Sequence, residues 1–188
     1  MSRNDKGSLA TAKLNIYRQL NETLRIHRQQ ATEDSLCVPG CTECCYDYYA
    51  IQSVEFDLIL NELEKWDEEE LDGLIRKADK YWKILEEEHP EIRKLLLGTS
   101  NSDIGEMNLT IDKTSFPCIF LNETTNLCEI YDVRPFKCRI FGNGYYYSED
   151  EGAMGIVCQR YGSIINGDNF DDFLCDLTEI IDKNTDLS

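Results

Sequence analysis

Four cysteines packed into residues 37–45, as Cys37, Cys41, Cys44 and Cys45, constrain this chain more than any other feature of its sequence. A second set follows at the regular spacing Cys118, Cys128 and Cys138, and Cys158 comes after it. Free cysteine is often simply a small buried hydrophobe. Here, however, Pro39, Gly40, Thr42, Glu43 and Asp47 surround the first set, and such turn-forming, polar sequence does not build a core. A metal ion gathers thiolates to within about 2.3 Å of itself, which favours a short turn able to aim two or more of them inward. The expected metal ligands are therefore Cys37, Cys41, Cys44, Cys45, Cys118, Cys128, Cys138 and Cys158. The ninth cysteine, Cys175, is left out of this set.

Disulfides are the weaker reading. The cysteine count is odd, and adjacent Cys44 and Cys45 could pair only through a strained ring. No apolar run approaches the roughly 18–20 residues needed to cross a bilayer, and Met1–Gly7 lead into a polar amphipathic stretch with no signal-peptide-like apolar region. The expected location is cytoplasmic, where thiols stay reduced and cysteine clusters point to metal or redox chemistry. Closing the loop between residues near 41 and near 128 costs roughly 4–5 kcal/mol of chain entropy. A structural zinc site supplies about 10–16 kcal/mol at neutral pH, so metal can hold the two cysteine sets together with margin.

The two histidines, His27 and His89, lie in helical sequence away from the cysteines and are read as surface or capping residues. All-sulfur ligation suits Zn2+ in a closed structural site, or iron in an iron–sulfur cluster, better than a hydrolytic centre. Eight thiolates permit two four-cysteine sites, one bridged binuclear site, or one site with spare ligands. A formal charge of −17 opposes binding to a phosphate backbone, so the expected partner is a metal ion, with no nucleic acid, no membrane and an unidentified protein partner left open. Gly142 and Gly144 lack phosphate-loop spacing, and no catalytic residue or organic cofactor site is recognised.

The expected fold is mainly α with small β: one domain over 1–188, a helical scaffold around an irregular cysteine-rich centre with a short β-hairpin. An N-terminal helix within 1–33 carries the stripe Ala10, Leu14, Tyr17, Leu20 and Leu24. The metal-binding region, 37–158, contains a helical insertion over 53–98. There Ser53 is the expected N-cap of a stripe formed by Val54, Leu58, Ile59 and Leu63. Asp67 and Glu70 form a capping box ahead of Leu71, Leu74, Ala78, Tyr81 and Leu85. Pro90 opens a short helix through Leu97, and 99–105 is a loop. Cys118–Leu121 and Leu127–Tyr131 read as two strands around the polar turn Asn122–Asn126. A last helix over 168–183 places Phe170, Phe173, Leu174, Leu177 and Ile181 on one face, with Cys175 opposite.

Cys37-x3-Cys41-x2-Cys44-Cys45, Phe116-Pro-Cys118-Ile-Phe-Leu121 and Cys128-Glu-Ile-Tyr131-Asp-Val-Arg134-Pro135-Phe-Lys-Cys138-Arg139 together resemble the YkgJ-type cysteine cluster family, over roughly Cys37–Cys158. That resemblance implies zinc or iron chelation. It also extends, distantly, to flagellin lysine N-methylases, whose cysteines are thought to hold an iron–sulfur cluster. The alternative function it implies is an iron–sulfur enzyme of the protein lysine N-methylase or redox type. The first triplet shares its spacing with radical-SAM enzymes, but the strand–helix alternation of their barrel is missing. Arg134, Lys137 and Arg139 either offset the negative charge of a thiolate site or make ordinary salt bridges. Tyr46, Tyr48, Tyr49 and Tyr145–Tyr147 either shield the metal or simply pack.

Overall fold

The computed structural model describes residues 3–30, 40–47, 51–90, 92–93, 113–140, 145–149, 152–156 and 175–187. Its architecture is mainly α with small β elements, and the chain forms two compact units. Among the described residues no helix is long and apolar enough to cross a membrane.

The first unit comprises Met1–Pro39, Gln52–Leu58 and Val133–Ser188. Helix α1, Arg3–Gln30, is longer at both ends than its apolar stripe suggests. Tyr17, Leu20 and Leu24 of that stripe are buried, joined by Ile16, and pack with Leu58, Phe136, Ile140, Leu177 and Ile180. Helix α2, Ser53–Leu63, begins one residue earlier than expected. Gln52, not Ser53, stands at its cap: the N–H groups of Glu55 and Phe56 donate to the Gln52 carbonyl, and the Gln52 N–H donates to Glu55 Oε2 at 3.0 Å. The glutamate three residues on thus performs the return half of a capping box.

The expected second strand, Leu127–Tyr131, ends at Cys128, and helical segments follow from Tyr131 onward. Tyr131–Val133 is a 3₁₀ turn, and Phe136–Ile140 is a short helix, α4. The C-terminal helix also starts later than expected: α5 is Thr178–Thr185, and Cys175–Asp176 form strand β5. Strand β5 pairs in parallel with β3, Tyr145–Glu149, which pairs antiparallel with β4, Gly152–Ile156. Cys175 therefore belongs to an edge strand and not to the helix on which its spacing placed it. Residues 170–174 lie outside the described residues.

The second unit comprises Gly40–Ile51 and Ile59–Asp132. Helix α3, Glu68–Glu88, opens on the expected capping box: the Glu70 N–H donates to Asp67 Oδ1 and the Asp67 N–H to Glu70 Oε2, both at 2.9 Å. It ends at His89, whose backbone N–H caps the Leu85 carbonyl at 2.8 Å. Leu85 and Ile92 are buried against Trp82 and Phe116, and Phe116 stacks on Tyr81 with ring centroids 4.7 Å apart. Pro90 sits in a turn and residues 92–93 are helical; the rest of the expected helix to Leu97 and the loop 99–105 lie outside the described residues.

The hairpin is shorter than the sequence suggested. Strand β1 is Leu121–Asn122 and β2 is Leu127–Cys128, with Leu121 opposite Cys128. Asn122 Oδ1 accepts the N–H groups of Thr124 and Thr125 at 3.0 Å, so the side chain itself shapes the turn. Asn126 closes it at φ 57°, a left-handed conformation that asparagine tolerates and branched residues do not. Replacing Asn126 by Val is expected to destabilise the unit by about 1–2 kcal/mol, and Asn126→Gly to be close to neutral. Equal thermal melts for the two variants would rule out this role for the turn.

Candidate metal centre

Gly40, at φ 86°, turns the chain into Cys41. A side chain there would reach ordinary van der Waals contact with Asn126, 4.0 Å away, so the first cysteine loop lies beside the hairpin turn. Glu43–Cys45 then form one 3₁₀ turn, closed by the Cys45 N–H on the Thr42 carbonyl at 2.9 Å. This is why the polar residues between these cysteines matter: they let the backbone coil tightly enough to present Cys44 and Cys45 from adjacent positions.

The chain beyond Lys113 is laid against this turn by backbone bonds. Asp47 and Lys113 form an antiparallel bridge. The Thr114 N–H donates to the Tyr46 carbonyl at 2.8 Å, and the Cys118 N–H donates to the Cys45 carbonyl at 2.6 Å. The Thr114 hydroxyl reaches the carbonyls of Tyr46 and Phe116 at 3.0 and 2.6 Å. Lys113 stands 3.9 Å from Glu43 and 4.0 Å from Asp47, which adds charge complementarity to the seam. Cys128 follows on β2, and the Glu129 N–H donates to the Phe120 carbonyl at 2.8 Å.

Cys41, Cys44, Cys45, Cys118 and Cys128 therefore belong to one compact unit, and none of the five is joined in a disulfide. Their electrostatics tie four of them together. The Cys45 thiol is raised far above the usual cysteine range, first by its hydrogen bond with Cys44, then by burial, and then by the charges that Cys44, Cys118 and Cys128 would carry. Cys118 keeps an exposed surface, but the packing around its sulfur raises its thiol as well; the Phe120 backbone and Lys77 act in the opposite direction. Thiols that oppose one another's ionisation lose that opposition when a cation is placed among them. The donor set is soft and becomes anionic as a bound cation displaces its protons, and it fits zinc or iron.

Among the described residues, no three His, Cys, Asp or Glu side chains already stand in metal-binding geometry. Cys138 lies half-buried in α4, within the first unit. Cys37 and Cys158 lie outside the described residues, as do Tyr48 and Tyr49.

Two groups near the thiols are not evident from the cysteine pattern. Lys77 donates to the Leu121 carbonyl at 2.5 Å, lies 3.8 Å from Glu123 and partly offsets the raising of the Cys118 thiol by burial. Tyr81 donates to Glu123 Oε1 at 2.8 Å, and burial raises its hydroxyl above the usual range, with Glu123, Tyr46 and Cys118 adding to the shift. Lys77 occupies a position in the apolar stripe of α3, between Leu74 and Tyr81, where a charge stands out. Arg139, by contrast, is buried in the first unit. It donates to the Arg134 carbonyl and to Asn21, with its guanidinium 3.9 Å from the centre of the Tyr17 ring.

Residues 36–159, about two thirds of the chain, match the model of a family named CxxCxxCC and described as "Putative zinc- or iron-chelating domain". No curated protein and no solved structure matches the chain. The family name spells two residues between its first two cysteines, where this chain has three, Val38, Pro39 and Gly40. On the extent of that match and the thiols gathered between Cys41 and Cys128, the chain belongs to the CxxCxxCC family of zinc- or iron-chelating domains.

Proposed function

We propose that this protein holds zinc or iron in a thiolate centre built on Cys41, Cys44, Cys45, Cys118 and Cys128, with Cys37, Cys138 and Cys158 as further ligands, in a thiol-reducing compartment such as the cytoplasm. The observation that carries the reading is the hydrogen bond from the Cys118 N–H to the Cys45 carbonyl, which brings together two cysteine sets far apart in sequence. When bound, the ion supplies positive charge and a cross-link between chain segments. The chain's own residues gather the thiols: Gly40 and the 3₁₀ turn present the first set, the 113–118 seam and the hairpin present the second, and Lys77 offsets negative charge at Cys118.

Both structural zinc and an iron–sulfur cluster use such ligands, and they differ in colour and sulfide content. Anaerobic purification of the full chain, followed by elemental analysis and an acid-labile sulfide assay, is expected to find stoichiometric zinc without colour, or iron with sulfide and visible absorption. Folded protein that carries neither metal, and takes up neither when it is supplied, would end the proposal.

A further inference from the structure

We propose that Glu55 is the positioning residue of Cys138, clamping the short helix that carries this cysteine so that its thiolate can serve the metal; the inference rests on reading Cys138 as a ligand. Helix α4 has only five residues, far fewer than an isolated helix needs to hold itself in water, so its place is set by tertiary contacts. Its first N–H, that of Phe136, has no acceptor within the helix and donates instead to Glu55 Oε1 at 2.8 Å.

The Glu55 carboxylate is itself fixed on every side. The residue is 4% exposed. Its Oε1 also accepts the Tyr17 hydroxyl at 3.0 Å and lies 3.2 Å from the Lys13 ammonium, while Oε2 accepts the Gln52 N–H at 3.0 Å. Beyond Cys138, Arg139 is 2% exposed and rests on the ring of Tyr17. Tyr17 thus touches both anchors of α4, the carboxylate with its hydroxyl and the guanidinium with its ring. Cys138 lies between the two anchors along α4, half-buried. A metal ligand gains affinity when its donor is held in place before the ion arrives.

Cobalt(II) titration of the full chain is the test, because thiolate-to-cobalt absorption reports both affinity and the number of thiolates bound. Glu55→Gln is expected to weaken cobalt binding roughly 10- to 100-fold, the range typical of residues that orient metal ligands. In a Cys138→Ser background the same substitution is expected to weaken it no further, because its effect passes through that thiolate. Equal weakening in both backgrounds, or no weakening in either, would overturn the positioning role. A Cys138→Ser variant with unchanged affinity and absorption would show that Cys138 is no ligand, removing both that reading and the proposal built on it. Should Glu55→Gln fail to fold, Tyr17→Phe, which removes one donor to Glu55 and keeps the ring beneath Arg139, is read in the two backgrounds in the same way.

Discussion

Complete removal of the metal is expected to unfold the unit formed by Gly40–Ile51 and Ile59–Asp132, while the unit built on α1 keeps its structure. Two-residue strands and a single 3₁₀ turn have little stability of their own. Among the described residues, the buried cluster of this unit consists of Leu85 and Ile92, with Trp82 and Phe116 partly covered. The first unit, in contrast, has among the described residues a cluster of nine buried ones around Ile16, Tyr17, Leu20 and Leu24. A structural zinc site contributes about 10–16 kcal/mol, as much as the whole folding free energy of an ordinary domain, so its loss cannot be absorbed by so small a core. Hydrogen exchange before and after verified demetallation should show amides of 113–128 losing protection while those of 16–24 retain it. A thermal melt and exchange pattern unchanged by demetallation would remove the structural role of the metal.

Lys13→Ala is expected to destabilise the chain by about 3–5 kcal/mol, the cost of leaving a buried charge without its partner. The Lys13 side chain is fully buried, and its ammonium is bound by Glu55, by Gln52 Oε1 and by Asn184 Oδ1. The rings of Tyr17 and Phe136 each lie 5.7 Å from it. Burial pulls its pKa below the usual lysine value, against the raising effect of Glu55, as expected for a charge held by partners rather than by water. Removing it strips Glu55 of its counter-ion and frees two side-chain amides. Chemical denaturation of the metal-loaded protein measures the difference. A loss under about 0.5 kcal/mol, the range of ordinary surface substitutions, would mean that this network contributes nothing.

Lys13 and Lys77 also show where sequence reasoning runs out. Both lie beside apolar stripes that were legible from their spacing, but a lysine scores as polar until the groups that accept its ammonium are known, and those come from distant segments: Asn184 for Lys13 and Leu121 for Lys77. Local signals fared better. The Asp67–Glu70 capping box, the stripe of α1 and the asparagine-bounded turn of the hairpin each depend on residues close in sequence, and each is present. The C-terminal segment failed for the complementary reason. Phe170 to Ile181 has helical spacing throughout, yet Cys175 and Asp176 pair with Tyr145 and Tyr146, a parallel contact that no local pattern announces. Cys138 was legible as a cysteine of the pattern; that it rides a helix held by Glu55 was not, because Glu55 lies on another helix.

The most direct measurement is the metal content of the anaerobically purified full chain with Cys44, Cys45 or Cys118 replaced singly by serine. Cys44 and Cys45 leave adjacent backbone positions and share a hydrogen bond, and Cys118 is joined to Cys45 through the backbone. Each variant is expected to lose bound metal relative to the unsubstituted chain while the first unit stays folded. A full metal complement in all three would contradict a thiolate centre built between the two cysteine sets.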